Sequence, residues 1–74
     1  MELIDECKDE RNDCVAYWLS EKPKEYGIGL KVVIEFDCKD IMLTEEDAKG
    51  KQYGNMLMSF DEFRNLQTII EERK

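Results

Sequence analysis

The side chains in this 74-residue sequence that could carry chemistry are three cysteines, eighteen acids and four Ser or Thr hydroxyls, and there is no histidine. Without His, the Ser–His and Cys–His nucleophile pairs and imidazole–metal coordination are excluded. Carboxylates act as an acid/base pair only when a cleft holds them in different environments, and nothing in the sequence predicts a cleft. Ser59 and Thr44 have the pattern of helix N-caps. We therefore predict that the protein is not an enzyme and has no catalytic residue.

The cysteines at positions 7, 14 and 38 are predicted to be reduced thiols. A disulfide between Cys7 and Cys14 is the alternative, and it requires that the two residues face each other across a hairpin. A zinc site would need a fourth ligand, and the spacing has neither a CxxC pair nor a His. The segment from Asp37 to Asp40 contains Cys38 but is typical of a polar tight turn. We predict no metal and no cofactor.

Composition places the chain among small single domains, 1–74. Hydrophobic residues make up 42% and charged residues 39%, and the net charge is −7. This acidity argues against direct binding to nucleic acid or to anionic membranes, which requires clustered Lys and Arg. No apolar run approaches the length of a membrane span, so none is expected. The first residues lack the pattern of a signal peptide, which predicts a cytoplasmic protein, in the host cytoplasm if it is viral.

The clearest predicted element is a C-terminal helix over 60–73. Ser59 and Glu62 form a capping-box pattern, with Ser at the N-cap and Glu three residues later. Apolar residues then fall on one half of the helical wheel. Such a helix needs a sheet to cover its apolar stripe, which comprises Phe60, Phe63, Leu66, Ile69 and Ile70.

The middle of the chain predicts that sheet. Residues 30–36 alternate between apolar and polar and are rich in β-branched side chains. After a turn, 41–43 resumes as an antiparallel partner, and 52–58 forms a third strand with Gly54 as a β-bulge. Between them, Thr44–Asp47 predicts one acidic helical turn or a structured loop that ends at Gly50.

The first twenty residues fit either a hairpin or one long helix. Six consecutive polar residues, 8–13, interrupt any helical stripe and favour the hairpin, with strands near 2–7 and 14–20. In that hairpin Tyr17 and Trp18 point to opposite faces. The predicted fold class is therefore α+β: a small antiparallel sheet of about four to five strands, with one C-terminal amphipathic helix packed on one face.

Negative charge is concentrated in two blocks. Residues 1–13 carry six acids and two bases, net −4, and residues 35–47 carry six acids and one base, net −5. Solvated loops are the plain interpretation. The functional interpretation is one negative face for a basic partner, which requires the two blocks to lie at the same end of the sheet. The predicted partner-binding residues are Asp9, Glu10, Asp13, Glu35, Asp37, Asp40, Glu45, Glu46 and Asp47, with Trp18 as an aromatic contact.

Methionines are a second unusual feature. Met56 and Met58 share one face of a strand, and Met42 is expected beside them. They fill a core or line an adaptable surface, and the core is favoured. Because one helix covers only one face of a sheet, the other face is expected to leave apolar side chains open, which indicates an interface.

Two functional hypotheses follow. The first is a non-enzymatic protein–protein interaction module whose acids imitate nucleic-acid phosphates and block a larger basic partner, such as a nucleic-acid-processing complex or a defence nuclease. Small acidic inhibitors encoded by phages and mobile elements, anti-CRISPR proteins among them, are similar in overall profile, although no motif carries that similarity. The alternative is a small structural or assembly protein that forms a homodimer or larger homo-oligomer through an exposed sheet face.

Overall fold

A computed structural model describes residues 1–8 and 13–73, and all structural statements below refer to these residues. They form five β-strands followed by one α-helix. The strands lie in chain order in one antiparallel sheet, so each strand pairs with the next one along the sequence. The predicted fold class is confirmed. The elements are β1 Glu2–Lys8, β2 Asp13–Trp18, β3 Ile28–Glu35, β4 Asp40–Asp47, β5 Gln52–Ser59 and α1 Phe60–Glu72.

The strand register defines two faces of the sheet. Val32 of β3 lies opposite Tyr17 and Leu43, which puts these three side chains in one row. Successive residues of a strand point to opposite faces, so the neighbouring row belongs to the other face. We call the first the apolar face; its members on β2 to β5 are Val15, Tyr17, Leu30, Val32, Ile34, Ile41, Leu43, Met56 and Met58. The other is the mixed face, which includes Cys14, Ala16, Trp18, Gly29, Lys31, Val33, Met42, Thr44, Glu46, Asn55 and Leu57.

The connection between β2 and β3 covers one end of the mixed face. Trp18 is only 9% exposed, and Pro23 of the connection is also buried. Gly29 lies beneath both: a Cβ at this position would be 2.8 Å from Pro23 Cδ and 3.1 Å from Trp18 Cζ3. The absence of a side chain at Gly29 therefore lets the indole and the proline ring pack against the strand.

Two hydrogen bonds hold the start of this connection on the sheet. Leu19 N–H donates to the Leu30 carbonyl at 2.8 Å. Leu30 N–H in turn donates to Ser20 Oγ at 2.8 Å. The hydroxyl thus satisfies a backbone donor just beyond the last β2–β3 register pair, as short polar side chains in turns commonly do.

The helix begins as predicted. Glu62 N–H donates to Ser59 Oγ at 3.1 Å, and Ser59 N–H donates to Glu62 Oε1 at 2.9 Å, which completes the capping box. Phe60 packs edge-to-face on Phe36 with 6.2 Å between ring centroids. Its N–H donates to the Lys39 carbonyl at 3.0 Å, so the first turn of the helix is joined to the β3–β4 turn.

The rest of the helix covers the sheet less than the sequence predicts. No residue of α1 is buried. Exposure along the apolar stripe rises from 38% at Phe63 through 44% at Leu66 to 58% at Ile69. The Cα atoms span 38 × 37 × 19 Å, a flat shape in which one dimension is half of the other two. Beyond its first turn the helix therefore covers the sheet only partly, and its apolar stripe stays about half exposed.

Three local predictions are also decided. The hairpin at the start of the chain is confirmed, since β1 and β2 pair from Glu2 opposite Trp18 to Lys8 opposite Asp13. The predicted helical turn at Thr44–Asp47 is wrong, because these residues continue β4 and pair with strands on both sides. The bulge is confirmed, since the β4–β5 register shifts next to Gly54.

The methionines divide between the faces. Met42 lies opposite Leu57 on the mixed face, whereas Met56 and Met58 lie on the apolar face. The expectation that Met42 lies beside the other two is therefore wrong. Up to the bulge, the register pairs odd-numbered residues of β4 with even-numbered residues of β5. Met42 therefore points to the opposite face from Met56 and Met58.

Gly29→Ala tests the packing of Trp18 and Pro23. The added methyl group overlaps both rings, so we expect the free energy of unfolding to fall by about 1–3 kcal/mol. Gly54→Ala is the matched control, because its Cβ would meet only Glu45 Oε1 at 3.8 Å. Urea denaturation measures both. Equal stability of the two variants would contradict this account of the β2–β3 connection.

Candidate protein-binding surface

The strand order brings the start of β2, the β3–β4 turn and the start of the helix to the same end of the sheet. Asp13 N–H donates to Asp37 Oδ2 at 3.0 Å, and Phe36 N–H donates to the Asp13 carbonyl at 2.8 Å. These bonds join the start of β2 directly to the β3–β4 turn. Parts of the two acidic blocks of the sequence therefore meet in space.

Four carboxylates gather there: Asp13, Glu35, Asp37 and Asp40, which we call the acidic end. Glu35 and Asp40 are direct cross-strand partners. Like charges in that arrangement repel and destabilise the strand pair. Among the described residues, none of the four takes part in an ion pair. Lys8 lies opposite Asp13 in the β1–β2 register and Lys39 lies in the same turn, but the four carboxylates outnumber these two bases, so the acidic end has an excess of negative charge.

The negative charge of the acidic end affects the thiol of Cys38 in the β3–β4 turn. Desolvation and the negative charges of Glu35, Asp40 and Asp37 raise the pKa of the Cys38 thiol, and a hydrogen bond with the Glu35 side chain adds to the effect. The side chain is exposed. Its elevated pKa makes Cys38 a poor nucleophile at neutral pH, since the thiolate is the reactive form.

A depression of about 350 Å³ lies between this turn and the first turn of the helix. Asp40 and Phe60 line it, together with Lys39, Asp61 and Arg64. Asp61 Oδ1 is 3.6 Å from Arg64 Nη1, a pair exposed to solvent. The acidic end therefore has a concave border with an aromatic ring at its base.

The C-terminal half of the second acidic block lies elsewhere, because β4 carries it to the opposite end of the sheet. Glu46 is 6% exposed and forms an ion pair with Lys31 on the mixed face. Glu45 is exposed on the apolar face opposite Gly54. These carboxylates do not join the acidic end, so the predicted single negative face is divided in two.

Asp47 organises the β4–β5 turn. Its Oδ1 accepts hydrogen bonds from the N–H groups of Lys49 and Lys51, each at 2.9 Å, and its Oδ2 accepts from the Tyr53 hydroxyl at 3.1 Å. The bond from Lys51 N–H, followed by those from Lys49 and Tyr53, lowers the pKa of Asp47 against the opposing effect of desolvation. The hydrogen bond from the Tyr53 hydroxyl to Asp47 raises the pKa of Tyr53. Gly50 completes the turn with a φ of +87°.

The three remaining predicted contacts are Trp18, Asp9 and Glu10. Trp18 is buried against Gly29 and is not an accessible aromatic contact. Asp9 and Glu10 lie outside the described residues. Of the predicted partner-binding residues, the structure therefore brings together Asp13, Glu35, Asp37 and Asp40.

A second open surface lies on the apolar face; the sequence predicted that one sheet face would leave apolar side chains open but favoured a core role for Met56. On the apolar face, Met56 is 55% exposed and Leu30 is 36% exposed, and they border an open depression of about 500 Å³. The helix stripe, visible in the sequence, was expected to be covered. Periodicity reveals that such a stripe exists, but it carries no information about what the stripe contacts.

Cys14 and Cys38 are free thiols. The backbone register pairs Cys7 with Cys14, which is the arrangement that the disulfide alternative required, yet Cys14 remains unbonded. Within residues 1–8 and 13–73, no group of three His, Cys, Asp or Glu side chains is arranged to hold a metal ion. No helix in this part of the chain has the length and apolarity to cross a membrane.

Comparisons with known proteins return no match: no family model, no curated protein and no solved structure is significantly similar to the chain.

Glu35→Gln tests the electrostatics of the acidic end. Removing this charge and its hydrogen bond lowers the pKa of the Cys38 thiol, so Cys38 should react faster with iodoacetamide at about pH 8. Mass spectrometry of the digested protein separates Cys38 from the other two cysteines. Glu21→Gln, in the exposed β2–β3 connection at the opposite end, should leave the rate unchanged. Equal rates in both variants would show that the acidic end has no local potential.

Asp47→Asn tests the role of Asp47 in the turn. Because folding lowers the pKa of Asp47, its charge stabilises the fold above the unfolded pKa of about 3.9, and this is lost as pH falls through the folded value. We expect a lower melting temperature than wild type at pH 7 and a shrinking difference on titration towards about pH 2. Thermal unfolding followed by circular dichroism measures it, with Glu25→Gln as control. A difference independent of pH would contradict the charge-based explanation.

Proposed function

We propose that the protein is a non-enzymatic protein–protein interaction module that binds a basic protein through the acidic end. The observation that carries the proposal is the meeting of carboxylates from separate parts of the sequence, joined by the hydrogen bond from Asp13 N–H to Asp37 Oδ2. A cross-strand Glu35–Asp40 pair costs stability in the free protein. A basic partner would offset that repulsion, which gives the arrangement a physical reason.

Catalysis is not part of the proposed function, because the chain has no His and its four Ser and Thr hydroxyls occupy structural positions. Ser59 caps the helix, and Ser20 accepts from a strand N–H. Thr68 donates to the Arg64 carbonyl at 3.0 Å. Thr44 is 1% exposed, out of reach of a substrate in solvent. None of these hydroxyls is paired with a base that would activate it.

The finer form of the proposal is that the carboxylates occupy phosphate sites of a nucleic-acid-binding protein. B-DNA presents one negative charge per ~1.7 Å of helix axis, so a mimic needs several carboxylates held close together. Direct cross-strand partners have Cβ atoms about 5 Å apart, and Glu35 and Asp40 are such a pair. The target would be a basic enzyme such as a defence nuclease, and the effect would be inhibition by occupancy.

A second candidate function is assembly into a homo-oligomer. The apolar side chains left open on the helix and on the apolar face favour it, since contiguous exposed apolar surface marks interaction sites. The two functions are compatible, because the acidic end and the open apolar surface are formed by different residues.

The acidic end is tested by a matched pair of double variants. Glu35→Gln/Asp40→Asn removes two charges there, and Glu21→Gln/Glu25→Gln removes two exposed charges from the opposite end. Fluorescence anisotropy with a labelled arginine-rich peptide measures binding across a salt series. We expect the first double to weaken binding about tenfold at low salt and to flatten the salt dependence, since fewer charges are engaged. The control double should lose much less.

Equal weakening by both doubles would mean that only the overall charge attracts the peptide, and the proposal would fail. A lysate experiment then addresses the physiological partner. Immobilised wild-type protein should retain a basic nucleic-acid-binding protein that elutes between roughly 0.2 and 0.5 M salt. Retention by the control double but not by the acidic-end double supports the proposal. Equal retention by both doubles, or no salt-sensitive partner, contradicts it.

A further inference from the structure

Two apolar surfaces of this chain lack a covering layer. The first is the helix stripe, Phe63, Leu66, Ile69 and Ile70, with exposures between 38% and 58%. The second is the open sheet patch, Leu30 and Met56, next to the depression of about 500 Å³ on the apolar face. An amphipathic helix and an apolar sheet face are the two halves of a helix-on-sheet layer. Here neither half is fully covered by the other.

We propose that a second copy of this chain covers both surfaces, so that the helix stripe and the open sheet patch are buried together at a two-fold interface. In such an isologous dimer the same patch of each copy is used twice, so the helix stripe and sheet patch of one chain are buried against those of the other. The inference rests on the second candidate function, assembly into a homo-oligomer, and is independent of the proposed binding of a basic partner.

The exposed area is sufficient for a stable interface. With roughly 200 Å² for a large side chain, the exposed fractions of the six residues amount to about 600 Å² per copy. A standard interface buries ~800 Å² per partner, including its polar rim. The six residues would therefore form the apolar centre of an interface of ordinary size.

The distribution of charge favours a second copy over a basic protein at this surface. Residues 48–74, which contain β5 and the helix, carry five bases and four acids, net +1, whereas residues 1–47 carry fourteen acids and six bases, net −8. Two copies can approach through their nearly neutral C-terminal parts without strong repulsion. A basic partner is attracted instead to the part with net −8.

Within residues 1–8 and 13–73, no other element covers the helix stripe or the open sheet patch, as the exposed fractions of their side chains show. The residues outside the described ranges are the polar segment 9–12 and Lys74. The buried core of the described residues is small, with Trp18, Val32 and Ile41 as its large hydrophobic side chains. A domain of this size is marginal when it folds alone, so burial against a second copy would add substantially to its stability.

The test is the mass of the purified full chain by light scattering over a dilution series from about 100 μM to 1 μM. Wild type should have twice the 8.8 kDa chain mass at the high end and dissociate on dilution. Leu66→Lys should raise the dimer dissociation constant at least about tenfold. Thr68→Lys adds the same charge on the opposite side of the helix and should leave the dimer intact.

A second matched pair examines the sheet. Met56→Lys, on the apolar face, should weaken the dimer, and Gln52→Lys, on the mixed face and away from the depression, should not. Both residues are exposed, and circular dichroism establishes that each variant remains folded. A wild-type monomer at 100 μM, or equal effects of the two members of either pair in folded protein, would overturn the proposal. The acidic-end double variant should still dimerise, which separates this inference from the proposed function.

Discussion

The central position of β3 constrains the rest of the structure. It pairs with β2 on one side and β4 on the other, so its alternation assigns residues of three strands to the two faces at once. Val32 therefore enters the apolar face, and Lys31 enters the mixed face where Glu46 neutralises it. A shift of one residue in either pairing would put Lys31 among apolar side chains and expose Val32. The hydrophobic pattern of this strand thus fixes the register of its neighbours.

The mixed face and the apolar face of the sheet are covered in different ways. At one end of the mixed face, the β2–β3 connection supplies its own cover through Pro23, which packs with Trp18 over Gly29. The apolar face has no comparable connection, and the helix that could cover it is joined to the sheet through Phe60 and Phe36 but remains exposed beyond its first turn. The difference follows from chain length: nine residues link β2 and β3, whereas the helix follows β5 with no intervening residue. A helix without a linker has little freedom to fold back on the sheet.

The acidic residues show how one composition serves two purposes. At the β4–β5 end, Asp47 accepts three hydrogen bonds and Glu46 pairs with Lys31, so these carboxylates stabilise the fold. At the acidic end, Glu35 and Asp40 face each other across the strand pair, and neither takes part in an ion pair among the described residues. Carboxylates that are paired locally stabilise the fold, whereas unpaired carboxylates create a negative potential that attracts a basic partner. The carboxylates at the two ends of the sheet cannot be told apart in the sequence, because both roles need only carboxylates.

The sequence by itself determined the elements whose signals are local. The capping box at Ser59 fixed the start of the helix, the alternation around Val32 fixed a strand, and the polar interruption at 8–13 favoured a hairpin over a helix. Gly54 likewise indicated the bulge. The N-cap pattern at Thr44–Asp47 predicted a helical turn, but these residues pair with two strands. Ladder hydrogen bonds and the burial of Thr44 outweigh a local capping preference.

Only the tertiary structure decided which charges meet and which apolar residues stay open. That Asp13 joins Asp37, and that Asp47 does not, depends on the direction in which each strand runs, which composition does not encode. That the helix stripe lies open depends on how the chain leaves β5, because amphipathicity specifies the side of a helix that seeks cover but not the surface that provides it. Local signals act over a few residues, whereas the acidic end and the open apolar surface each arise from residues more than twenty positions apart.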